Sequence, residues 1–256
     1  MTQLFQDDRD PVTITRPRSG HRGTTQVATR PTARSPLLQK SAAKIFLILH
    51  DSFTGKSLVR PSAIKRAIIG AELADLIMAR RIGMENDRIV LADEGGRGTD
   101  NLSAFLVETI RSQPDAHTVP VWVATLADRL FDLLATLLVA DGIVHRVSGG
   151  RILRRSTERF PAQDLLAAAG PRLRLEHALR SASDPDLPTQ VVAALIGSIG
   201  AARVVDLDGD RGAVRRRIEG ITKALPVDLR DLIIGMEVAH ASGELPPSLR
   251  LHSSDS

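Results

Sequence analysis

The fold of this chain is decided by residues 44–84, KIFLILHDSFTGKSLVRPSAIKRAIIGAELADLIMARRIGM, which join a short apolar segment, a Thr-Gly-Lys turn and one long amphipathic helix. From Ser62 to Ile82, apolar residues recur every three or four positions, and this period predicts a helix with one buried face. Pro61 suits the first position of such a helix and disfavours helical backbone at Arg60. We therefore expect the helix to begin at about Ser62, behind a glycine-containing turn.

A phosphate-binding P-loop is the alternative interpretation of the segment Thr54-Gly55-Lys56-Ser57. A P-loop has the pattern G-x-x-x-x-G-K-[ST] between a buried strand and a helix, and its backbone N–H groups surround the phosphates. Residues 45–49 would form the strand, and the helix would start at Lys56. The first glycine of the pattern, however, falls on His50, which lacks the backbone freedom of glycine. A turn between two apolar elements is the interpretation we prefer.

The composition excludes several kinds of site. A chain of 256 residues with 43% hydrophobic content can bury a full core. The absence of cysteine excludes disulfides, thiol catalysis and cysteine-ligated zinc. None of the seven histidines pairs with another four positions away, and no G-x-S-x-G nucleophile elbow is present. We therefore predict no catalytic residues, no metal, no cofactor and no enzymatic activity.

The net charge of +4 belongs to the N-terminal residues. Residues 16–40 contain six Lys or Arg and no acid, whereas residues 1–15 have a charge of −2, so the rest of the chain is neutral. Residues 1–40 are poor in apolar side chains, which predicts a disordered, basic, Arg-rich tail. Such a tail suits anionic lipid or nucleic acid, or it is a solubilising leader without a partner. Residues 242–256 are polar and predict a flexible C-terminal tail.

The body between the two tails, residues 41–241, predicts a mainly α fold: a compact multi-helix domain with a projecting β-hairpin. A short strand is expected at residues 88–93, and the hairpin turn at Ser148-Gly149-Gly150, where glycines supply positive φ. A helix is expected at 187–200, and its residues 189–199 are almost wholly apolar, which predicts a central buried helix. The other helices are expected from residue 101, across Trp122–Leu138 with an end at Gly142, and at 162–182, 211–224 and 227–241.

Five segments, in order over roughly residues 40 to 240, resemble the Golgi phosphoprotein 3 family. They are FLILHDSFTGK, AIKRAIIGAELADLIMARRIGME, RIVLADEGGRGTDNL, LLVADGIVHRVSGGRILRRSTERFPAQD and SDPDLPTQVVAALIGSIGAARVV. The resemblance implies a helical, peripheral membrane protein that binds phosphatidylinositol 4-phosphate through a basic pocket beside the hairpin. In eukaryotes the family retains glycosyltransferases in the Golgi. The Ala- and Arg-rich composition suggests a bacterial, actinobacterial member, to which the adaptor function does not transfer.

The headgroup pocket of the family is not retained residue by residue. The Trp that the family has before the long helix falls on Arg60 here, and its Arg before the helix glycine falls on Ile69. Two further Arg fall near Asp128 and Phe131. Replacement cations that could rebuild a phosphate site are available nearby. They are Arg60, Lys65, Arg66 and Arg129, although Lys65 and Arg66 also fit an ordinary solvated helix face.

The hairpin is expected to mediate self-association first and membrane contact second. Apolar residues there alternate with arginines, and this pattern suits a subunit interface or an anionic bilayer. The candidates are Val144, Val147, Arg151, Ile152, Leu153 and Arg154. We thus expect a cytoplasmic, peripherally membrane-associated protein that binds phosphoinositide or another anionic lipid headgroup. The alternatives are an Arg-tailed nucleic-acid-binding protein, which the neutral body and scarce aromatics disfavour, and the degenerate P-loop protein.

Overall fold

Helix α2, Pro61–Met78, runs through the middle of the fold. Four helices that pack against it are α1 (Ser41–Ile48), α4 (Val119–Ala140), α6 (Leu187–Ser198) and α8 (Val227–Glu244). The computed structural model describes residues 35–92, 100–147, 158–205 and 211–244. These residues form eight α-helices, two short 3-10 helices and a three-stranded sheet. The remaining α-helices are α3 Asn101–Arg111, α5 Leu165–Arg180 and α7 Arg211–Ala224. The mainly α fold class is therefore confirmed.

A glycine in the middle of α2 lets three helices meet. A Cβ atom on Gly70 would lie 2.8 Å from Leu195 of α6 and 2.9 Å from Met236 of α8. Side chains on a helix normally hold neighbouring axes apart, so a residue without a side chain permits this close approach. The predicted central helix is confirmed in α6, where residues 191–196 are all buried. The core of the domain thus lies around α2 and α6.

The sheet packs at the end of α2 and contains two strands, the first and the third, that were not predicted from the sequence. Strands β1, Ile82–Glu85, and β2, Arg88–Leu91, form an antiparallel hairpin, and β3, His117–Thr118, pairs with β2. Asn86 and Asp87 both have positive φ, as a two-residue hairpin turn requires. The strand expected at residues 88–93 is confirmed in β2. The helix expected to reach residue 82 ends four residues earlier.

The P-loop alternative is wrong, because the strand and the helix start that it requires are not found. Residues 45–48 belong to helix α1 rather than to a strand, and the next helix begins at Pro61 rather than at Lys56. Between them, Gly55 has a φ of 66° in a hydrogen-bonded turn. The glycine-containing turn that we preferred is therefore confirmed, but it follows a helix.

The folded body begins before the boundary that we expected after residue 40, because Lys40 belongs to it. Pro36–Gln39 form a 3-10 helix, and the Lys40 ammonium group lies 2.9 Å from Glu72 and 2.8 Å from Asp100. At the other end, α8 continues to Glu244, three residues beyond the expected limit. Residues 1–34 and 245–256, on which most of the two predicted tails fall, lie outside the described residues.

The predicted hairpin around Ser148-Gly149-Gly150 is described only at its base. Val144 forms an antiparallel bridge with Ala162, and Val147 forms one with Arg159. These bridges pair the two segments that enter and leave the hairpin. Residues 148–157, which would form its tip, lie outside the described part of the chain.

Candidate functional site

An aromatic cluster joins helix α1, helix α4 and the segment that returns from the hairpin. The rings of Phe46 and His50 stack with centroids 4.3 Å apart, and Phe160 meets Phe46 edge-on at 5.2 Å. Phe131 of α4 completes the cluster, with its centroid 5.9 Å from that of Phe160. Burial lowers the pKa of His50 to about 4, although a hydrogen bond from its Nδ1 to the Phe46 carbonyl raises it in part. His50 is therefore a neutral member of an apolar floor.

Two cations lie over the outer rings of this cluster. The Lys65 ammonium group is 5.5 Å from the centroid of Phe131, and the Arg146 guanidinium carbon is 5.6 Å from that of Phe160. A ring face attracts a cation through its quadrupole, so each ring positions the charge above it. The cluster thus brings a cation from α2 and one from the hairpin base to the same region of the molecule.

Two further cations are exposed on the turn after helix α1 and at the start of α2. Lys56 is exposed in the turn, and its neighbour Ser57 forms a bridge with His50 of the aromatic cluster. Arg60, also exposed, is the N-cap residue of α2 and provides no side-chain hydrogen bond to the helix. We refer to Lys56, Arg60, Lys65 and Arg146 as the basic surface.

The start of α2 adds a favourable electrostatic field to the basic surface. The N-cap side chain makes no hydrogen bond to the first turn and Pro61 has no N–H, while the Ala63 and Ile64 N–H groups donate to the Arg60 carbonyl at 2.9 and 3.3 Å. Unsatisfied N–H groups and the aligned peptide dipoles give a helix N-terminus a partial positive charge, which favours phosphate groups. The described geometry therefore suits an anion with several oxygen acceptors.

The structure separates two of the four predicted headgroup residues from this surface. Successive residues on a helix are about 100° apart, so Lys65 and Arg66 face different neighbours. Lys65 contacts α4, where its ammonium group lies 2.6 Å from the Asp128 carboxylate. Arg66 is only 9% exposed, and its guanidinium donates to Nδ1 of His240 on α8 at 3.2 Å. Arg66 thus forms part of the contact between α2 and α8.

Arg129 is turned towards helix α3. Its guanidinium carbon lies 4.7 Å from the ring centroid of Phe105. Of the four predicted cations, Lys65 lies over the aromatic cluster, and Arg60 is exposed at the start of the same helix. Lys56 and Arg146 were not among the headgroup residues predicted from the sequence. The sequence did contain a signal for each of them. Lys56 is the lysine of a Gly-Lys turn, and Arg146 is a cation of the hairpin segment.

The hairpin candidates have different surroundings. Val144 is 1% exposed and belongs to the core, so it fixes the hairpin base to the body. Val147 is 38% exposed and is the first apolar residue of the hairpin to reach solvent. The remaining candidates lie outside the described residues; they are Arg151, Ile152, Leu153 and Arg154.

Two kinds of feature are absent from the described residues. Across residues 35–92, 100–147, 158–205 and 211–244, no three His, Cys, Asp or Glu side chains are grouped so that they could hold a metal ion. Within the same ranges, no helix combines the length and the apolar character needed to cross a bilayer.

Comparison with known protein families identifies the family to which this chain belongs. Residues 42–236 match the family described as Golgi phosphoprotein 3 (GPP34). No individual curated protein matches the chain. The matched range begins inside α1 and ends inside α8, so it covers the helices, the sheet and the basic surface. The chain therefore belongs to the Golgi phosphoprotein 3 family.

Proposed function

We propose that this protein is a non-enzymatic, peripheral membrane protein that binds phosphate-bearing headgroups of anionic lipids at the basic surface. Phosphatidylinositol 4-phosphate is the headgroup that family membership suggests. The observation that carries the proposal is the placement of Lys65 and Arg146 over two rings of one aromatic cluster, beside the uncapped start of α2. Several donors converging on one region are what a phosphate group requires.

The ion pair between Lys65 and Asp128 does not prevent this role. The Asp128 side chain is 84% exposed, and ion pairs at such exposed positions contribute only about 0–1 kcal/mol. A phosphate with two negative charges can therefore compete for the Lys65 ammonium group. Lys56 forms no ion pair with any residue that the structure describes, so its charge is also available.

The local arrangement of charge distinguishes this proposal from diffuse attraction. The body has almost no net charge, because the excess cations lie in the N-terminal residues. Selective binding must then come from specific positions, whereas the Arg-rich residues before position 35 would add attraction to any anionic surface. The two contributions can be separated by variants that keep the total charge equal.

The test is co-flotation of the full-length protein with liposomes that contain phosphatidylcholine alone, phosphatidylserine, or phosphatidylinositol 4-phosphate. We expect the double variant Lys65→Gln/Arg146→Gln to lose selective binding to the phosphoinositide. The control Arg129→Gln/Arg216→Gln removes the same charge away from the basic surface and should bind like the wild type. Arg216 is exposed on α7.

Equal losses in the two double variants would contradict a defined headgroup site and would indicate diffuse electrostatic attraction. Binding to a single-stranded oligonucleotide, but to no liposome, would support the nucleic-acid alternative instead. A truncated protein for these comparisons should begin at Ser35 rather than at Ser41, because Lys40 forms buried ion pairs with the body.

A further inference from the structure

Large apolar side chains are exposed beside the basic surface, at the turn before α2 and at the outer face of α5. Phe53 is 79% exposed and Leu166 is 83% exposed. Leu165 and Leu173 on α5 are exposed as well. We refer to Phe53, Leu165, Leu166 and Leu173 as the apolar rim. Single exposed apolar residues are common on proteins, but a group that borders one candidate site points to an interaction.

The exposure of Phe53 is imposed by the turn that holds it. The Asp51 carboxylate accepts a hydrogen bond from the Thr54 N–H at 2.7 Å, and the Asp51 carbonyl accepts one from the Gly55 N–H at 2.8 Å. The Asp51 N–H donates to the Lys56 carbonyl at 2.8 Å and closes the loop. Phe53 therefore lies at the tip of a turn that is already ordered. Binding of its side chain to a partner would cost little conformational entropy.

Backbone contacts place this turn next to the start of α5. The Ala162 N–H donates to the Ser52 carbonyl at 2.9 Å, and the Phe160 N–H donates to the Gly55 carbonyl at 3.0 Å. The chain enters α5 at Leu165, three residues after Ala162. Leu166 and Leu173 are seven residues apart and share one face of this helix. The turn that bears Phe53 therefore lies next to the start of the helix that bears the three exposed leucines.

The charges around the apolar rim indicate a lipid surface as its occupant. Lys56 follows Phe53 by three residues, Arg174 follows Leu173 directly, and both are exposed. The carboxylates of the same two segments, Asp51 and Asp164, accept hydrogen bonds from backbone N–H groups of their own turns. Apolar side chains bordered by cations are typical of segments that lie in the interface of an anionic bilayer.

We propose that Phe53 and the exposed leucines of α5 insert below the headgroup level of an anionic membrane while the basic surface binds the headgroups. This inference rests on the proposed function and adds a second, hydrophobic contribution to it. The apolar rim then orients the body on the bilayer, with the ordered turn and the exposed leucines of α5 facing the lipid. A second copy of the chain is the competing occupant and is an outcome of the test.

Membrane insertion can be observed directly with the variant Phe53→Trp in the full-length protein. Trp122 is the single native tryptophan and is buried, so its emission gives a constant background. With vesicles of phosphatidylcholine and phosphatidylserine, we expect the emission of the new tryptophan to shift to the blue. Brominated lipids should quench this emission, since bromine atoms on the acyl chains act at short range.

A matched set of variants measures the contribution to affinity. Phe53→Ser and Leu166→Ser should each weaken vesicle binding roughly tenfold, as expected when a large apolar side chain no longer leaves water. Ile234→Ser is the control, because Ile234 is 52% exposed on α8. We expect it to bind vesicles like the wild type, and all three variants to keep the thermal stability of the wild type.

The outcomes separate this inference from the proposed function. If the wild type binds vesicles and Lys65→Gln/Arg146→Gln does not, but Phe53→Ser binds normally and Phe53→Trp shows no blue shift, the insertion is refuted and headgroup binding stands. If the wild type binds no vesicle of any composition, both are refuted. A change in the sedimentation of the free protein on Phe53→Ser, without a change in vesicle affinity, would assign the apolar rim to a second copy.

Discussion

Replacing Glu72 with glutamine should remove a large part of the pH dependence of the stability of this protein. Glu72 is fully buried on α2, and its Oε2 atom accepts a hydrogen bond from the Lys40 ammonium group at 2.9 Å. Asp100 and Ser103, at the start of α3, bind the same ammonium group. Burial raises the pKa of Glu72 from 4.5 to about 7, although the attraction of Lys40 lowers it in part.

The magnitude follows from the two pKa values. Because the folded state holds the proton of Glu72 more tightly than the unfolded chain, this group favours folding at low pH. Its contribution is lost as the pH rises from 4.5 through about 7. One pKa unit corresponds to about 1.4 kcal/mol, so the free energy of unfolding should decrease by about 2–3 kcal/mol between pH 5 and pH 8 from this group alone.

The assay is urea-induced unfolding of the wild type and Glu72→Gln at pH 5 and at pH 8. Other groups titrate in the same range, among them Asp75, whose pKa burial also raises. Their contributions largely cancel when the variant is compared with the wild type at each pH. At each pH we take the free energy of unfolding of Glu72→Gln minus that of the wild type. We expect this difference to be about 2–3 kcal/mol more favourable to the variant at pH 8 than at pH 5. A constant difference at the two pH values would refute the reasoning.

The variant Lys40→Met tests the other side of the ion pair. Without the ammonium group, no neighbouring cation stabilises the buried carboxylate of Glu72, so the pKa of Glu72 should rise further. Lys40→Met should therefore be less stable than the wild type, and its loss should be greater at pH 8 than at pH 5. An equal loss at the two pH values would show that Lys40 contributes by packing and not through its charge.

Two further predictions concern the turn and the aromatic cluster. Gly55→Ala should lower the free energy of unfolding by at least about 2 kcal/mol, because Gly55 has a φ of 66° and a Cβ there would lie 2.2 Å from the Pro161 nitrogen. Its control Gly220→Ala, in an open part of α7, should stabilise by about 0.5–1 kcal/mol in the same thermal unfolding assay. The wild type should lose stability as the pH falls from 6.5 towards 4, because burial lowers the pKa of His50 to about 4. His50→Phe should lose less stability over the same range. A parallel loss in the wild type and His50→Phe, followed by chemical unfolding, would contradict the burial argument.

The long helices could be predicted because their apolar residues repeat over three or more turns. The period is sustained in α2 and α4, whereas α6 was recognised by its almost wholly apolar composition. The capping side chains Asp100 and Asp186 mark the beginnings of α3 and α6. The short elements were harder, since a brief apolar run fits a strand or a helix equally. Ile82 continues the apolar period of α2, yet the helix ends before Arg80, which has positive φ, and Ile82 pairs with Leu91. Pairing between strands is a non-local contact, so it cannot be predicted from the apolar period of one segment.

The candidate site could be predicted only in part, because the direction of a side chain depends on its neighbours. Lys65 and Arg66 are adjacent in sequence, but one faces α4 and the other faces α8. Arg146 reaches the site through Phe160, which lies fourteen positions further along the chain. Lys40 resembles the Arg-rich residues before it in composition, but two buried or half-buried carboxylates hold it in the body. Composition identifies a cation, whereas its partners decide its role.

The protein uses its cations in two opposite ways, and the difference determines which charges are available to a ligand. Lys40 lies between two carboxylates at 2.8 and 2.9 Å, so its charge is neutralised within the fold. The ring beneath Arg146 positions this cation without neutralising its charge, because a ring has a quadrupole and no net charge. Lys65 lies over a ring as well, but its ammonium group also pairs with the exposed Asp128 carboxylate at 2.6 Å. An aromatic floor can therefore present positive charge on a body that is neutral as a whole. For this fold, the affinity for an anionic membrane should follow the pairing of individual cations rather than the net charge of the chain.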